Sequence, residues 1–126
     1  MQTLLGLCRA QPENTEGYPF RPGVLVFKVH GKIFAIVMER DEPLRVSLKC
    51  EPLLAEALRS EYPAVTGGYH LNKRHWNTVV LDGSVPHDRI REWIEDSWDL
   101  VVEKLPRNER RRLRWLVEPE PEESRD

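Results

Sequence analysis

Residues 24–48, VLVFKVHGKIFAIVMERDEPLRVSL, decide the fold of this chain. Two β-branched and aromatic runs, 24–29 and 33–38, flank His30-Gly31, which can form a tight turn, so the pattern predicts a β-hairpin. The following DEP predicts another turn, and apolar and polar residues alternate in LRVSL as a third strand requires. Three consecutive antiparallel strands, without an intervening helix, are therefore expected.

Helical patterns lie on both sides of these strands. Leucines at helical spacing within residues 1–10 predict a short first helix, and the proline, asparagine and glycine of residues 11–17 predict a loop after it. The most regular helix begins near Pro86, because apolar and small residues recur there every three or four positions. These positions are Ile90, Trp93, Ile94, Ser97, Trp98, Val101, Val102 and Leu105.

Three further elements complete the pattern. Pro52 suits the first turn of a helix, because its missing N–H is not needed there, and Pro63 ends that helix. Its expected apolar stripe consists of Leu54, Ala57, Leu58 and Tyr62. A strand is predicted at 76–81, with a turn at Asp82-Gly83, and an arginine-rich helix is predicted at 107–116.

This order of elements predicts an α+β fold, a mostly antiparallel sheet with its helices packed on one face. The other face of the sheet should be partly exposed to water. With 126 residues, of which 40% are hydrophobic, we expect a single domain at residues 1–117. Residues 118–126, EPEPEESRD, are expected to form an acidic disordered tail.

The charge composition excludes a strong global attraction to nucleic acid or membrane, because the formal net charge is only −2. The charge is unevenly distributed, however. Residues 18–91 contain 11 lysines and arginines against 8 acidic residues, whereas residues 92–126 contain 7 against 11. The middle of the chain is therefore the mildly basic part, and a basic ligand-binding surface is expected there.

The cysteines and the hydropathy indicate a cytoplasmic protein. Cys8 and Cys50 have neither CxxC spacing nor the density of a disulfide scaffold, so reduced thiols are expected. No apolar run approaches the roughly 20 residues of a spanning helix, and the N-terminus lacks the basic start and apolar core of a signal peptide. We therefore predict no association with a membrane.

Residues 66–79, TGGYHLNKRHWNTV, are the best candidate for a binding loop. This segment combines glycines, histidines, asparagines, cations and aromatic rings. Lys73 and Arg74 can neutralise phosphates, and the indole of Trp76 can stack on a base, an interaction that contributes about 1–3 kcal/mol. In the alternative interpretation, Trp76 is the first core residue of its strand, and the two cations belong to a solvated turn.

Strand lysines are expected to extend this surface. Lys28 and Lys49 alternate with apolar neighbours, so their side chains should point away from the core. Exposed lysines also occur on strands simply because they oppose aggregation. The complete predicted nucleic-acid site is Lys28, Lys49, Tyr69, His70, Asn72, Lys73, Arg74, His75 and Trp76. We expect Lys49, His70, Asn72, Lys73 and Arg74 to share one exposed surface.

Four segments of the chain together resemble the MmcQ/YjbR family of small bacterial proteins. They are FKVHGKIFAIV (27–37), VSLKCEP (46–52), GGYHLNKRHWNTVVLDGSVP (67–86) and SWDLV (97–101). The resemblance implies a frataxin-like (CyaY-like) fold, a double-wing surface and DNA binding. This chain has Gly67-Gly68 where the family commonly has Pro-Gly, and Trp98 where it usually has tyrosine.

A metal site or an enzyme centre is not indicated by the sequence. Cys50, His70 and His75 form an unspecific set for zinc or for nucleophilic catalysis, with no second cysteine pair and no orienting partner. Glu13 and Glu16 are too few hard oxygen ligands for a dense iron-binding surface. We therefore predict no cofactor and no catalytic residue, and rank a cysteine or metal enzyme last among the possible functions.

Two other conspicuous groups have structural interpretations. Trp93 and Trp98 are expected to be core residues. Arg110, Arg111, Arg112 and Arg114 either extend a phosphate-binding surface or form a solvated helix face, balanced by Glu109, Glu118 and Glu120. We favour the solvated face. The leading functional hypothesis is thus a non-enzymatic DNA-binding module, and the alternative is a protein-interaction or small-anion-binding domain using the same surface.

Overall fold

The computed structural model describes residues 3–117, so the predicted acidic tail at 118–126 lies outside the described residues. The helices are α1 (Leu4–Arg9), α2 (Pro52–Glu61), α3 (His87–Val102) and α4 (Arg107–Val117). The strands are β1 (Asn14–Gly17), β2 (Val24–Val29), β3 (Lys32–Met38), β4 (Arg45–Lys49), β5 (Val65–Gly67) and β6 (Trp76–Val80). No described helix has both the length and the apolar character needed to cross a membrane.

The strands form one antiparallel sheet in the order β1-β2-β3-β4-β6-β5, which confirms the predicted α+β class. His30 and Gly31 both have positive φ, 47° and 80°, as a tight hairpin turn between β2 and β3 requires. The prediction missed the two edge strands, β1 and β5. Their short sequences, NTEG and VTG, carry little alternation, and pairing with β2 and β6 makes them strands.

The core lies between one face of the sheet and the helices α2 and α3. Both tryptophans of α3 are buried there, as predicted: Trp93 is 7% exposed and Trp98 is 2% exposed. The Trp93 ring meets the Tyr62 ring edge-on at 5.3 Å, and the indole N–H of Trp98 donates to the Pro12 carbonyl at 3.1 Å. The hydrogen bond leaves no polar group of this large side chain unsatisfied.

The buried face of α2 agrees only in part with the prediction. Leu58 is buried and Tyr62 packs against the core, as expected, but Ala55 is the other buried residue of the helix, and Leu54 and Ala57 are exposed, with 41% for Leu54. The side chain of Asn77 donates to the Ala55 carbonyl at 3.3 Å and so helps to orient this face of the helix against β6. Helical periodicity alone does not reveal this polar contact with a distant strand.

The opposite face of the sheet, here called the open face, is less exposed to solvent than predicted. Val24, Val26 and Ile36 form a small second apolar cluster on this face, each at most 8% exposed. Leu71, from the connection between β5 and β6, packs against the cluster. The candidate binding loop is therefore folded over the open face rather than extended into solvent.

Charged side chains attach α4 to the sheet. His30 Nδ1 lies 2.5 Å from Glu109, and His30 Nε2 lies 2.8 Å from Glu13. Arg112 Nη2 donates to Glu13 at 2.7 Å, and Arg114 pairs with Asp99 of α3 at 3.1 Å. Arg112 and Arg114 of the arginine-rich helix thus pair with carboxylates elsewhere in the fold.

These arginines contact residues outside their own helix. Glu13 and Asp99 bind Arg112 and Arg114, and Arg110 donates to the Glu103 carbonyl at 3.2 Å. Of the three expected balancing residues, Glu109 pairs with His30, and Glu118 and Glu120 lie outside the described residues. Among the described residues, long-range contacts therefore help to hold this helix in place.

This ion network predicts a pH optimum of stability. The carboxylates of Glu109 and Glu13 raise the pKa of His30 above 6.5. The stability that His30 contributes is therefore complete below pH 6.5 and is lost as pH rises through its folded-state pKa. Arg112 and His30 hold the pKa of Glu13 at about 2, below its ordinary 4.5. The stability that ionised Glu13 contributes is therefore lost as pH falls from 4.5 toward 2. We expect the melting temperature to be highest between these limits.

His30→Asn tests this expectation, because asparagine tolerates the left-handed backbone conformation but carries no charge. The melting temperature of the wild type should fall between pH 6 and pH 9, and this fall should be smaller in the variant. The exposed His75, changed to asparagine, is the matched control. Parallel melting curves for wild type and His30→Asn across this range would contradict the role of His30.

Candidate functional site

The loop between β5 and β6 makes an unusually close approach to the sheet at Gly68. A Cβ atom at this position would lie 2.7 Å from Trp76 Cβ and 3.1 Å from Leu71 Cβ. The Gly68 N–H donates to the Trp76 carbonyl at 2.9 Å, and the Leu71 N–H donates back to the Gly68 carbonyl at 3.2 Å. Glycine is required here because the backbone of the loop lies directly against β6.

Polar contacts hold the rest of the loop. The Asn72 side chain accepts the Arg74 N–H at 2.8 Å, and the Asn72 carbonyl accepts the Trp76 N–H at 3.0 Å. Lys73 Nζ donates to the Gly68 carbonyl at 3.1 Å, and Arg59 of α2 donates to the Lys73 carbonyl at 2.8 Å. Lys73 therefore stabilises the loop, in addition to supplying charge.

Arg74 and His75 are two of the exposed residues of this loop. Both are exposed, and neither side chain makes a hydrogen bond or an ion pair with another residue between 3 and 117. The guanidinium of Arg74 keeps all its donors for a ligand. It is the cation of the loop most available to an anion.

Four predicted site residues line a cavity of about 470 Å³, here called the edge cleft. They are Lys49, Asn72, His75 and Trp76. The cleft begins where β4 ends and β6 starts, and it extends to Glu103 and Lys104 after α3. Lys49 Nζ lies 6.0 Å from the centre of the Trp76 ring, at the limit of a cation–π contact.

The backbone of Lys49 is fixed from the helix layer. Buried Ser97 of α3 accepts the Lys49 N–H at 2.8 Å and donates to the Phe34 carbonyl at 2.6 Å. A register shift in the β2–β3 pairing occurs beside Phe34. The serine hydroxyl therefore satisfies one backbone group within β3 and one at the end of β4, and it holds Lys49 at the mouth of the cleft.

Two other predicted residues, Tyr69 and His70, line a different cavity of about 300 Å³ on the open face, here called the sheet groove. Arg45 lies 5.2 Å above the Tyr69 ring, and the rings of Tyr69 and His70 are 4.0 Å apart. The groove also contains residues that sequence reasoning missed. These are Phe20, Arg21, Val24, Ile36, Met38, Arg45, Ser47, Leu71 and Thr78.

The loop thus supplies residues to two cavities, and Lys28 lines neither of them. Lys28 is half-buried on β2, where strand alternation places it on the open face. Phe20-Arg21 had a weak signal in the sequence, since an exposed aromatic residue beside an arginine between two prolines suits a displayed turn. Ser47 and Thr78 had none, because their hydroxyls meet only when β4 pairs with β6.

Comparison with known proteins assigns the chain to a family. A family model described as YjbR matches residues 9–100, which include the open face and the whole loop. The chain belongs to the MmcQ/YjbR family. YjbR of Escherichia coli K12, described as an uncharacterized protein, is 38% identical over 110 residues, covering 87% of this chain and 93% of the relative.

Further relatives of this MmcQ/YjbR-family chain agree in length and fold. YbdF of Escherichia coli O157:H7, also described as uncharacterized, is 36% identical over 97 residues, covering 77% of this chain and 80% of YbdF. The crystal structure of Deinococcus radiodurans protein DR2400 superposes with a TM-score of 0.82 at 40% identity, covering 87% and 84% of the two chains. A Pseudomonas syringae protein gives a TM-score of 0.66 at 28% identity, covering 75% and 92%.

The three residues considered for a metal or thiol centre are separated in this MmcQ/YjbR-family fold. Cys50 and His75 line the edge cleft, whereas His70 lines the sheet groove. Burial, with the nearby Asp96 charge, raises the pKa of the Cys50 thiol to about 11, so it is protonated at neutral pH and a weak nucleophile. The residues from 3 to 117 contain no group of three or more potential ligands placed to hold a metal ion.

Proposed function

We propose that this MmcQ/YjbR-family protein is a non-enzymatic module that binds the phosphate backbone of nucleic acid. The observation that carries the proposal is the exposed Arg74 guanidinium, which has no partner among residues 3–117 and is followed by His75 of the cleft that Lys49 and Trp76 also line. Exposed cations neutralise phosphates, and an indole face accepts a base. The free thiols of Cys8 and Cys50 suit the reducing cytoplasm, where nucleic acid is the abundant polyanion.

The charge balance of the edge cleft supports a weak, general binder rather than a tight one. Glu51 and Glu103 line the cleft together with Lys49 and Lys104. Glu103 is partly compensated, because Arg114 lies 3.7 Å from its carboxylate. Net attraction therefore depends mainly on the loop cations and the open face of the sheet, and we expect it to weaken steeply with salt.

Salt titration of binding to double-stranded DNA tests this proposal. Arg74→Ala together with Lys49→Ala should lower the magnitude of the logarithmic salt slope by about 2, since each duplex phosphate contact contributes about 0.9. Lys73 is left unchanged because its ammonium group also holds the Gly68 carbonyl. The control is Arg111→Ala on α4, which removes one exposed cation elsewhere.

Fluorescence anisotropy of labelled DNA at several salt concentrations provides the measurement, and melting curves confirm that each variant is folded. An unchanged slope in the double variant would count against phosphate binding at this surface. An equal loss in the Arg111 variant would instead indicate nonspecific attraction to the whole protein. We also propose that the protein has the CyaY-like fold and the double-wing surface that the family resemblance implies. We assign the two wings to residues 18–23 and 68–75.

The sheet groove favours a second candidate function, the binding of a small anion or a partner's side chain. Its apolar floor and cationic rim form a concave site whose volume of about 300 Å³ suits a small molecule. Binding of this kind would be less sensitive to salt than binding to a nucleic acid backbone. Binding that persists and hardly changes with salt concentration would therefore favour this alternative.

A further inference from the structure

Two exposed aromatic side chains line the sheet groove. Phe20 is 63% exposed and Tyr69 is 48% exposed, and both contribute to its wall. Phe20 comes from the loop before β2 and Tyr69 from the loop before β6, so two segments that are distant in sequence supply the rings on the open face. Between them the floor is apolar, with Val24 and Ile36 at its base. This arrangement suits a flat, largely apolar group.

The floor also offers one specific hydrogen bond. Ser47 Oγ and Thr78 Oγ1 lie 2.8 Å apart, and both residues are buried. Thr78 Oγ1 already accepts the Tyr69 N–H at 3.0 Å. The contact between the hydroxyls uses one of their two protons, and the other has no acceptor among the described residues. The remaining hydroxyl proton can bind an acceptor on a ligand in the groove.

The rim of the groove carries positive charge. Arg21 and Arg45 line it, together with His70. Arg45 Nε donates to Asp41 at 2.6 Å, which orients the guanidinium and leaves its other N–H groups for an anion. A ligand that matches all three features has a flat ring, a hydrogen-bond acceptor on that ring and an attached anionic group.

We propose that the sheet groove binds one unpaired nucleotide of a single strand, with the base between Phe20 and Tyr69 and its phosphate at Arg45. This inference rests on the proposed nucleic-acid binding and specifies its form. A base in a duplex cannot enter the groove without unpairing. The protein therefore binds a single strand more tightly than a duplex at the same salt concentration.

The test compares an oligothymidylate with an abasic strand of equal length, which has the same phosphates but no bases. The oligothymidylate should bind more tightly. Phe20→Ala and Tyr69→Ala should each reduce its affinity by about 5- to 150-fold, the usual effect of losing one stacking partner, and leave the abasic strand unaffected. Tyr69→Phe should retain the affinity, because the ring remains.

Tyr18→Ala is the matched control, since Tyr18 is 50% exposed in the same loop as Phe20 but does not line the groove. Equal binding of the two strands, insensitive to the Phe20 and Tyr69 substitutions, would overturn the base site while leaving the phosphate contacts of Arg74 and Lys49 intact. Binding of neither single strand would overturn the groove assignment, and if duplex DNA also fails to bind, the proposed function is overturned with it.

Discussion

Trp98→Ala should destabilise the protein by about 3–5 kcal/mol, the usual cost of removing a large aromatic side chain from a core. Trp98 is 2% exposed and lies on α3 between the helix layer and the sheet. Its loss leaves a cavity and also leaves the Pro12 carbonyl without its indole donor. A domain of this size has a total stability of only about 5–15 kcal/mol, so the substitution removes a large share of it.

Chemical denaturation monitored by circular dichroism measures this loss. Trp115→Ala is the matched control, because Trp115 on α4 is 71% exposed, and the same substitution there should change the unfolding free energy by less than about 1 kcal/mol. Similar free energies of unfolding for the Trp98 and Trp115 variants would contradict the packing of α3 described above.

Gly68→Ala should cost about 1–3 kcal/mol, as overpacking of a filled site usually does, and should also displace the binding loop. The added methyl group would lie 2.7 Å from Trp76 Cβ and 3.2 Å from the Trp76 carbonyl oxygen, and neither atom belongs to a flexible side-chain end. The strain must therefore move the backbone of the loop. Because Tyr69 and Asn72 follow directly, both the sheet groove and the edge cleft should be distorted.

Gly17→Ala provides the comparison, because a Cβ atom at Gly17 has no heavy atom within 4 Å and the backbone there needs no positive φ. Thermal melts and amide chemical shifts of residues 68–76 distinguish the two variants. If the Gly68→Ala variant keeps the wild-type amide chemical shifts beyond the substituted position, the loop conformation does not depend on the close approach of Gly68 to β6.

The elements of the core were predictable because their signals are local. The alternation in residues 24–48 and the three-to-four-residue spacing after Pro86 both arise from the period of a single element, and both elements formed as expected. Edge strands were not predictable from NTEG or VTG, since their hydrogen bonds come from neighbours. The buried face of α2 was predicted only in part, because a hydrogen bond from Asn77 on a distant strand helps to set its rotation.

The candidate site likewise has one part that the sequence determined and another that only the tertiary structure decided. By itself, the sequence determined that a loop bearing cations and aromatic rings precedes β6, because glycines, polar residues and charges favour a turn near water. The tertiary structure decided where each side chain points. Leu71 folds onto the apolar cluster of the open face, and the loop therefore lies across the sheet with a cavity on each side. Burial of that leucine is a long-range contact, and no local period in the sequence encodes it.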